Sequence, residues 1–168
     1  ITNSNGLNYD LRMSTKYLEK DIRNSLEFYV LPNIVSARSF TNPASASVSG
    51  NCVLIVLEVG RVNGGRGCVY YRAPTGRVKN GRTIYSFYRA ICTFGTGGTP
   101  VIDETNALLV AEDCWPILKN NTALFVAHPR FTFAGARRGL FMGANFFRGS
   151  GKNLNNNNLA RTSCQLCF

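Results

Sequence analysis

Seven basic residues lie between Arg61 and Arg89 with no acid among them: Arg61, Arg66, Arg72, Arg77, Lys79, Arg82 and Arg89. Tyr70, Tyr71, Tyr85, Phe87 and Tyr88 interleave with them. Cationic side chains grip phosphates and aromatic faces stack on bases, so this run is a candidate site for DNA or another polyanion. Arg accounts for fourteen of the nineteen basic residues, and its planar fork suits bidentate contact with phosphate or carboxylate. Strand alternation gives a plainer account of part of the pattern. Tyr85, Phe87 and Arg89 share one face, while Ile84, Ser86 and Tyr88 share the other, as in a solvated hairpin with an inward aromatic side.

Catalysis has less to work with. The chain holds one histidine, His128, and no Gly-x-Ser-x-Gly sequence. A nucleophile–base pair therefore lacks its usual partners. The acidic pairs Asp103/Glu104 and Glu112/Asp113 are adjacent in sequence, and adjacent residues on a strand point to opposite faces, which suits loop solubility better than paired acid–base work. Cys164-x-x-Cys167 has no second pair with zinc-site spacing, and no calcium-loop spacing occurs. These patterns predict a non-enzymatic protein with no metal and no cofactor.

The six cysteines are Cys52, Cys68, Cys92, Cys114, Cys164 and Cys167. An even count suits a disulfide framework whose pairing the sequence leaves open. With a charged fraction of only 17%, the composition points to an oxidising, extracytoplasmic setting such as the periplasm or cell surface. Net charge is +10, spread as +1 over residues 1–50, +6 over 51–100, +1 over 101–150 and +2 over 151–168. The excess marks the Arg-rich segment as the place to seek an anionic partner.

These residues need elements to hold them. Leu7, Leu11, Thr15, Leu18, Ile22, Leu26 and Tyr29 recur at three- and four-residue spacing, which predicts a helix over residues 5–29. Leu11, Leu18, Ile22 and Leu26 are its expected packing residues, and Leu31-Pro32 stops it. Residues 52–59 are a continuous apolar run, expected as a central strand buried on both faces. Asn-Gly and Gly-Gly over residues 60–67 mark a turn. Strands are expected at 68–73 and 82–92, with a basic turn from Pro74 to Gly81 between them. Residues 107–111 form a short apolar run of either kind. Three more strands are expected at 122–127, 130–134 and 139–147, followed by an Asn-rich, Cys-containing tail over 149–168. The expected architecture is a single α+β domain over 1–168: a long N-terminal helix packed on an antiparallel sheet region spanning 48–147.

The order of segments resembles a known family. Leu-Glu-Lys-Asp-Ile-Arg (18–23) precedes Ser-Gly-x-Cys (49–52), Val-Tyr-Tyr-Arg (69–72), Ile-Tyr-Ser-Phe-Tyr-Arg (84–89) and Leu-Phe-Val-Ala-His-Pro-Arg-Phe-Thr-Phe (124–133). This order resembles the soluble domain of minor type IV pilins and type II secretion pseudopilins of the J or PilW type. The resemblance implies a structural subunit at the tip of a pilus or secretion pseudopilus. Its partners would be other pilin subunits, with inner-membrane anchoring through a methylated N-terminal apolar helix that this chain does not include. The Arg-rich hairpin and the Cys-x-x-Cys tail fall outside that pattern. The hairpin adds DNA or another polyanion as an expected partner. A cysteine-stapled, basic secreted binding or effector domain is the alternative.

Overall fold

The computed structural model describes residues 2–130, 137–148 and 160–167. Strand outweighs helix, 51% to 29%, and the strands form two antiparallel sheets. The expected architecture, a long N-terminal helix packed on one antiparallel sheet, is therefore corrected. Helix α1 (Thr2–Asn24) is an accessory to the two sheets and ends five residues before the expected Tyr29.

The physical reason lies at residues 25–31. Ser25 turns the chain by donating its backbone N–H and its hydroxyl to the Ile22 carbonyl, at 3.2 and 2.7 Å. The Leu26 N–H then donates to Val56 O at 2.8 Å. This draws Glu27–Leu31, rich in aromatic and aliphatic side chains, into strand β1. Leu26 thus lies outside the helix and is 62% exposed. Of the other expected packing residues, Leu18 is fully buried, while Leu11 and Ile22 flank the core half-buried. The buried stripe of α1 is instead Asp10, Ser14, Leu18 and Asp21, spaced four, four and three apart as one helix face requires.

The first sheet runs β1–β3–β4–β5–β6, with β7 also on β5; here β3 is Cys52–Glu58, β4 Arg66–Lys79, β5 Arg82–Phe94, β6 Pro100–Ile102 and β7 Leu108–Ala111. Helix α2 (Ile34–Arg38) lies in the connection from β1, with Asn33 accepting from Ser36 N–H as its N-cap. The second sheet runs β11–β10–β9–β2, with β8 also on β10; here β2 is Ser49–Gly50, β8 Asp113–Pro116, β9 Phe125–Arg130, β10 Arg137–Arg148 and β11 Ala160–Cys167. β11 falls where the sequence predicts only a tail. Residues 131–134, expected as strand, lie outside the described residues.

Two apolar clusters hold the layers together. Val53 and Ile55 face the first, where Leu18, Tyr70, Phe87, Phe125, Leu140, Met142 and Phe146 meet between the sheets and α1. Leu54 and Val56 face the second, with Ile34, Ala37 and Phe40 of the α2 region, Val69, Tyr71 and Phe94. β3 is thus buried on both faces, as its unbroken apolar run predicts. Gly67 allows β3 and β4 to approach, because a Cβ there would sit 1.9 Å from Ile55 O. At the far end of β4, Asn80 (φ 50°) and Gly81 (φ 75°) close the β4–β5 hairpin, the positive-φ pair of a two-residue turn. The chain crosses between sheets at Asn51, which accepts from Leu124 N–H and donates to Thr122 O, and again at Glu112. Among the described residues, no helix is long and apolar enough to cross a membrane.

Candidate polyanion-binding site

The basic residues of the hairpin divide into two groups according to what they touch. Arg61 is buried, donates from Nη1 to Thr41 O and Gly98 O at 3.1 and 2.9 Å, and lies over the Phe40 ring. Arg89 donates to both carboxylate oxygens of Asp21 on α1, at 2.7 and 3.2 Å. Asp21 also accepts from the Tyr70 hydroxyl and from Cys68 Sγ. Burial, and the hydrogen bond to the Asp21 carboxylate, push the Tyr70 hydroxyl far above its ordinary value. Arg66, at the start of β4, pairs with Glu58 in solvent. These three cations are committed within the protein.

Arg72, Arg77, Lys79 and Arg82 converge at the hairpin tip. Between Pro74 and Val78 the ladder slips by a bulge, held by Thr75 Oγ1, which donates to Ile84 O and accepts from Arg77 N–H. A bulge increases local twist and re-aims side chains. It leaves Arg77 Nη1 4.0 Å from Glu112 Oε1. Arg72 donates to Cys114 O at 3.2 Å and lies over the Tyr85 and Trp115 rings at 4.1 and 5.1 Å. Arg82 lies over Trp115 at 4.0 Å and Phe147 at 5.3 Å. Tyr85 meets Trp115 edge-on, and Lys79 lies 5.9 Å from the Phe147 ring. Arg72 and Arg82 therefore each lie against two rings of one cluster, each cation–ring contact contributing about 0.5–1 kcal/mol at a partly exposed position.

This cluster limits what the tip can do. The aromatic residues that the sequence offers for base stacking are already occupied. Tyr70 and Phe87 are in the core, Tyr71 stacks on Tyr88, and Tyr85 carries Arg72. Charge and hydrogen-bond donors remain. Among the described residues, the side chains of Arg77, Lys79 and Arg82 make no hydrogen bond; Arg77 and Arg82 are 37% and 41% exposed, whereas Lys79 is buried at 4%. Their ion pairs are loose, with Arg82 at 3.8 Å from Asp113. Burial lowers the Lys79 amine from its usual value, with Arg82 adding to the shift and Asp113 opposing it. Burial raises Glu112 and Asp113 above the usual carboxylate range; Arg148 and Arg77 pull Glu112 back down, and for Asp113 the Trp115 Nε1–H bond at 2.7 Å and Arg82 do the same.

Trp115 and Phe147 belong to the site and are not among the residues expected from sequence, and Glu112 and Asp113, expected only as solubilising acids, belong to it too. A visible signal exists: Asp113 is the last acid in the chain. Counting charge over residues 101–150 hides this, because acids at 103–113 cancel bases at 119–148.

Of the six cysteines expected in disulfides, Cys52, Cys68 and Cys92 are buried free thiols. Cys68 stands opposite Ile91 while Cys92 stands opposite Gly67, so the two occupy successive register positions and face opposite sides of the sheet. Burial raises the Cys52 and Cys68 thiols strongly and brings Cys92 to about 12. Cys114 is buried in the first cluster. Cys164 and Cys167 stand at register with Ala144 and Phe141 in β11, and their pairing lies outside the described side chains. Among the described residues, no group of three or more His, Cys, Asp or Glu is placed to hold a metal ion.

Compared with known protein families, curated proteins and solved structures, the chain matches none.

Proposed function

We propose that the protein is a non-catalytic binding subunit that captures DNA through Arg77 and Arg82 at the β4–β5 tip, with the buried Lys79 adding positive charge beside them. The observation that carries this reading is the tip itself. Two exposed cations, Arg77 and Arg82, make no side-chain hydrogen bond among the described residues, and Arg82 is oriented in advance by the Trp115 and Phe147 rings. With its aromatic faces occupied, such a tip reads phosphates rather than bases, so binding is independent of sequence and falls steeply with salt. Fluorescence anisotropy with labelled duplexes of unrelated sequence tests the reading. The expected result is similar affinity for each duplex and a large loss in the R77A/R82A variant. Unchanged affinity in that variant, with its thermal melt unaltered, rejects the tip.

A second reading, a subunit of the minor pilin or pseudopilin kind, is favoured by how α1 is fixed. Asp10 pairs with Arg148 of the second sheet and Asp21 with Arg89 of the first. A load on this helix would pass to both sheets. The reading predicts an apolar run of about 20 residues directly upstream of Ile1 in the gene, and recovery of the protein in sheared pili or with secretion pseudopilins. A deletion strain with unaltered pili and secretion counts against it.

A further inference from the structure

The tip that presents Arg77 and Arg82 is closed by Asn80-Gly81, and that dipeptide has a chemistry of its own. Asn is a thermolabile residue, because its side-chain amide carbon can be attacked by the backbone nitrogen of the residue that follows. A glycine in that place hinders the attack least, since it has no Cβ. Asn80 and Gly81 are both exposed, and a Cβ built on Gly81 would meet nothing within 4 Å. Among the described residues, neither the Gly81 N–H nor the Asn80 side-chain amide makes a hydrogen bond.

Ring closure gives residue 80 a new backbone conformation, so the turn must open to reach it. Two register pairs, Val78↔Thr83 and Lys79↔Arg82, close the tip beyond the bulge. Val78 is exposed, so little apolar burial ties these pairs down. Local opening costs least where contacts are few. The chain holds two other Asn-Gly pairs, Asn5-Gly6 and Asn63-Gly64. Asn5-Gly6 is held within α1. Asn63-Gly64 is exposed but precedes β4, at the opposite end of that strand from the tip.

We propose that Asn80 is a site of spontaneous deamidation that turns down anion binding at the β4–β5 tip. The inference rests on the reading of that tip as DNA-binding. The Gly81 backbone nitrogen bonds to the Asn80 side-chain carbonyl carbon, and the bond from that carbon to the amide nitrogen breaks. The displaced nitrogen takes the Gly81 proton and leaves as ammonia. Water then opens the resulting succinimide at one of its two carbonyls, leaving an aspartyl or isoaspartyl residue at position 80. Nothing is oxidised or reduced. Either product places a negative charge next in sequence to Lys79 and two positions from Arg82, where it competes with phosphate for the guanidinium. The isoaspartyl form also lengthens the main chain by one atom, which a two-residue turn does not accommodate.

Incubation of the intact chain in mildly alkaline buffer tests it. Peptide mapping reads conversion at positions 5, 63 and 80, and anisotropy reads affinity for a labelled duplex. The wild-type protein is expected to convert at position 80 ahead of position 5 and to lose about two- to fivefold of its affinity as it does. Freshly prepared N80D is expected to show a loss of the same size without incubation. N80G suits a positive φ and has no side-chain amide, so it should hold its affinity through the incubation even as position 63 converts. Position 80 unconverted after position 5 has converted, or full affinity in protein converted at position 80, overturns the inference and leaves the tip standing. No duplex binding by fresh wild-type protein overturns the tip reading and the regulation with it.

Discussion

Arg82 has a double use because stacking and hydrogen bonding draw on different parts of a guanidinium. Its face rests on Trp115 and Phe147 while its N–H edge points toward Asp113 without a hydrogen bond. Glu112 and Asp113 therefore compete with any anionic ligand for Arg77 and Arg82. Both carboxyls are raised by burial, so they take up protons at higher pH than an exposed carboxylate. As pH falls through that range each loses its negative charge, and DNA affinity should rise. The E112Q/D113N variant should bind DNA roughly three- to tenfold more tightly at neutral pH, and its affinity should vary less with pH. Asn at 113 keeps an acceptor for Trp115. Anisotropy titrations across pH check both points. A second expectation concerns the thiols. Alkylation of the native protein should spare Cys52, Cys68 and Cys92, and unfolding in urea without reductant should expose all three, as peptide mapping would show. At this scale the sequence shows which cations exist but not which are spent. Arg61, Arg72 and Arg82 look alike until Thr41, Cys114 and Trp115, distant in sequence, are brought beside them.

The elements follow from local chemistry where one pattern dominates. β3 is legible because Val53–Leu57 is unbroken apolar sequence, and β5 because aromatic and β-branched residues fill it. Helix α1 is legible as a helix, but its buried face is not. Asp10 and Asp21 look like solvent-facing residues until Arg148 and Arg89 arrive from two different sheets. The strand at residues 27–31 is hidden because Leu26 and Tyr29 continue the helical spacing. Its pairing with β3 is a tertiary contact that overrides local periodicity. These contacts have unequal worth. Removing Arg89 leaves a buried carboxylate without its counter-charge, so R89A should cost about 3–5 kcal/mol in urea unfolding. R66A, which breaks an exposed pair, should cost about 1 kcal/mol or less. Backbone approach gives a second contrast. G67A should be severely destabilising, because its Cβ would overlap Ile55 O. G76A, which has open space and only the strain of φ 83°, should cost about 1–2 kcal/mol.

At the scale of the whole molecule, two antiparallel sheets bury a common cluster, and among the described side chains exposed cations gather at the β4–β5 tip. Sequence alone favours a single sheet because the crossings at Asn51 and Glu112 carry no strong turn signal, and because β11 lies beyond an Asn-rich stretch. The net charge of +10 is legible from composition. Its placement is not, since five of the nine acids are in ion pairs with Arg at 3.0 Å or closer and the remaining surface is set by what they leave. A protein built this way should bind duplex DNA without sequence preference, and the salt dependence reports how many phosphates it engages. The most direct measurement is a salt titration of DNA affinity for the wild-type protein and for R77A/R82A. The account predicts a linear log–log fall whose slope drops by about 1.8 when two phosphate contacts are removed. Equal slopes and equal affinities for the two proteins would contradict it.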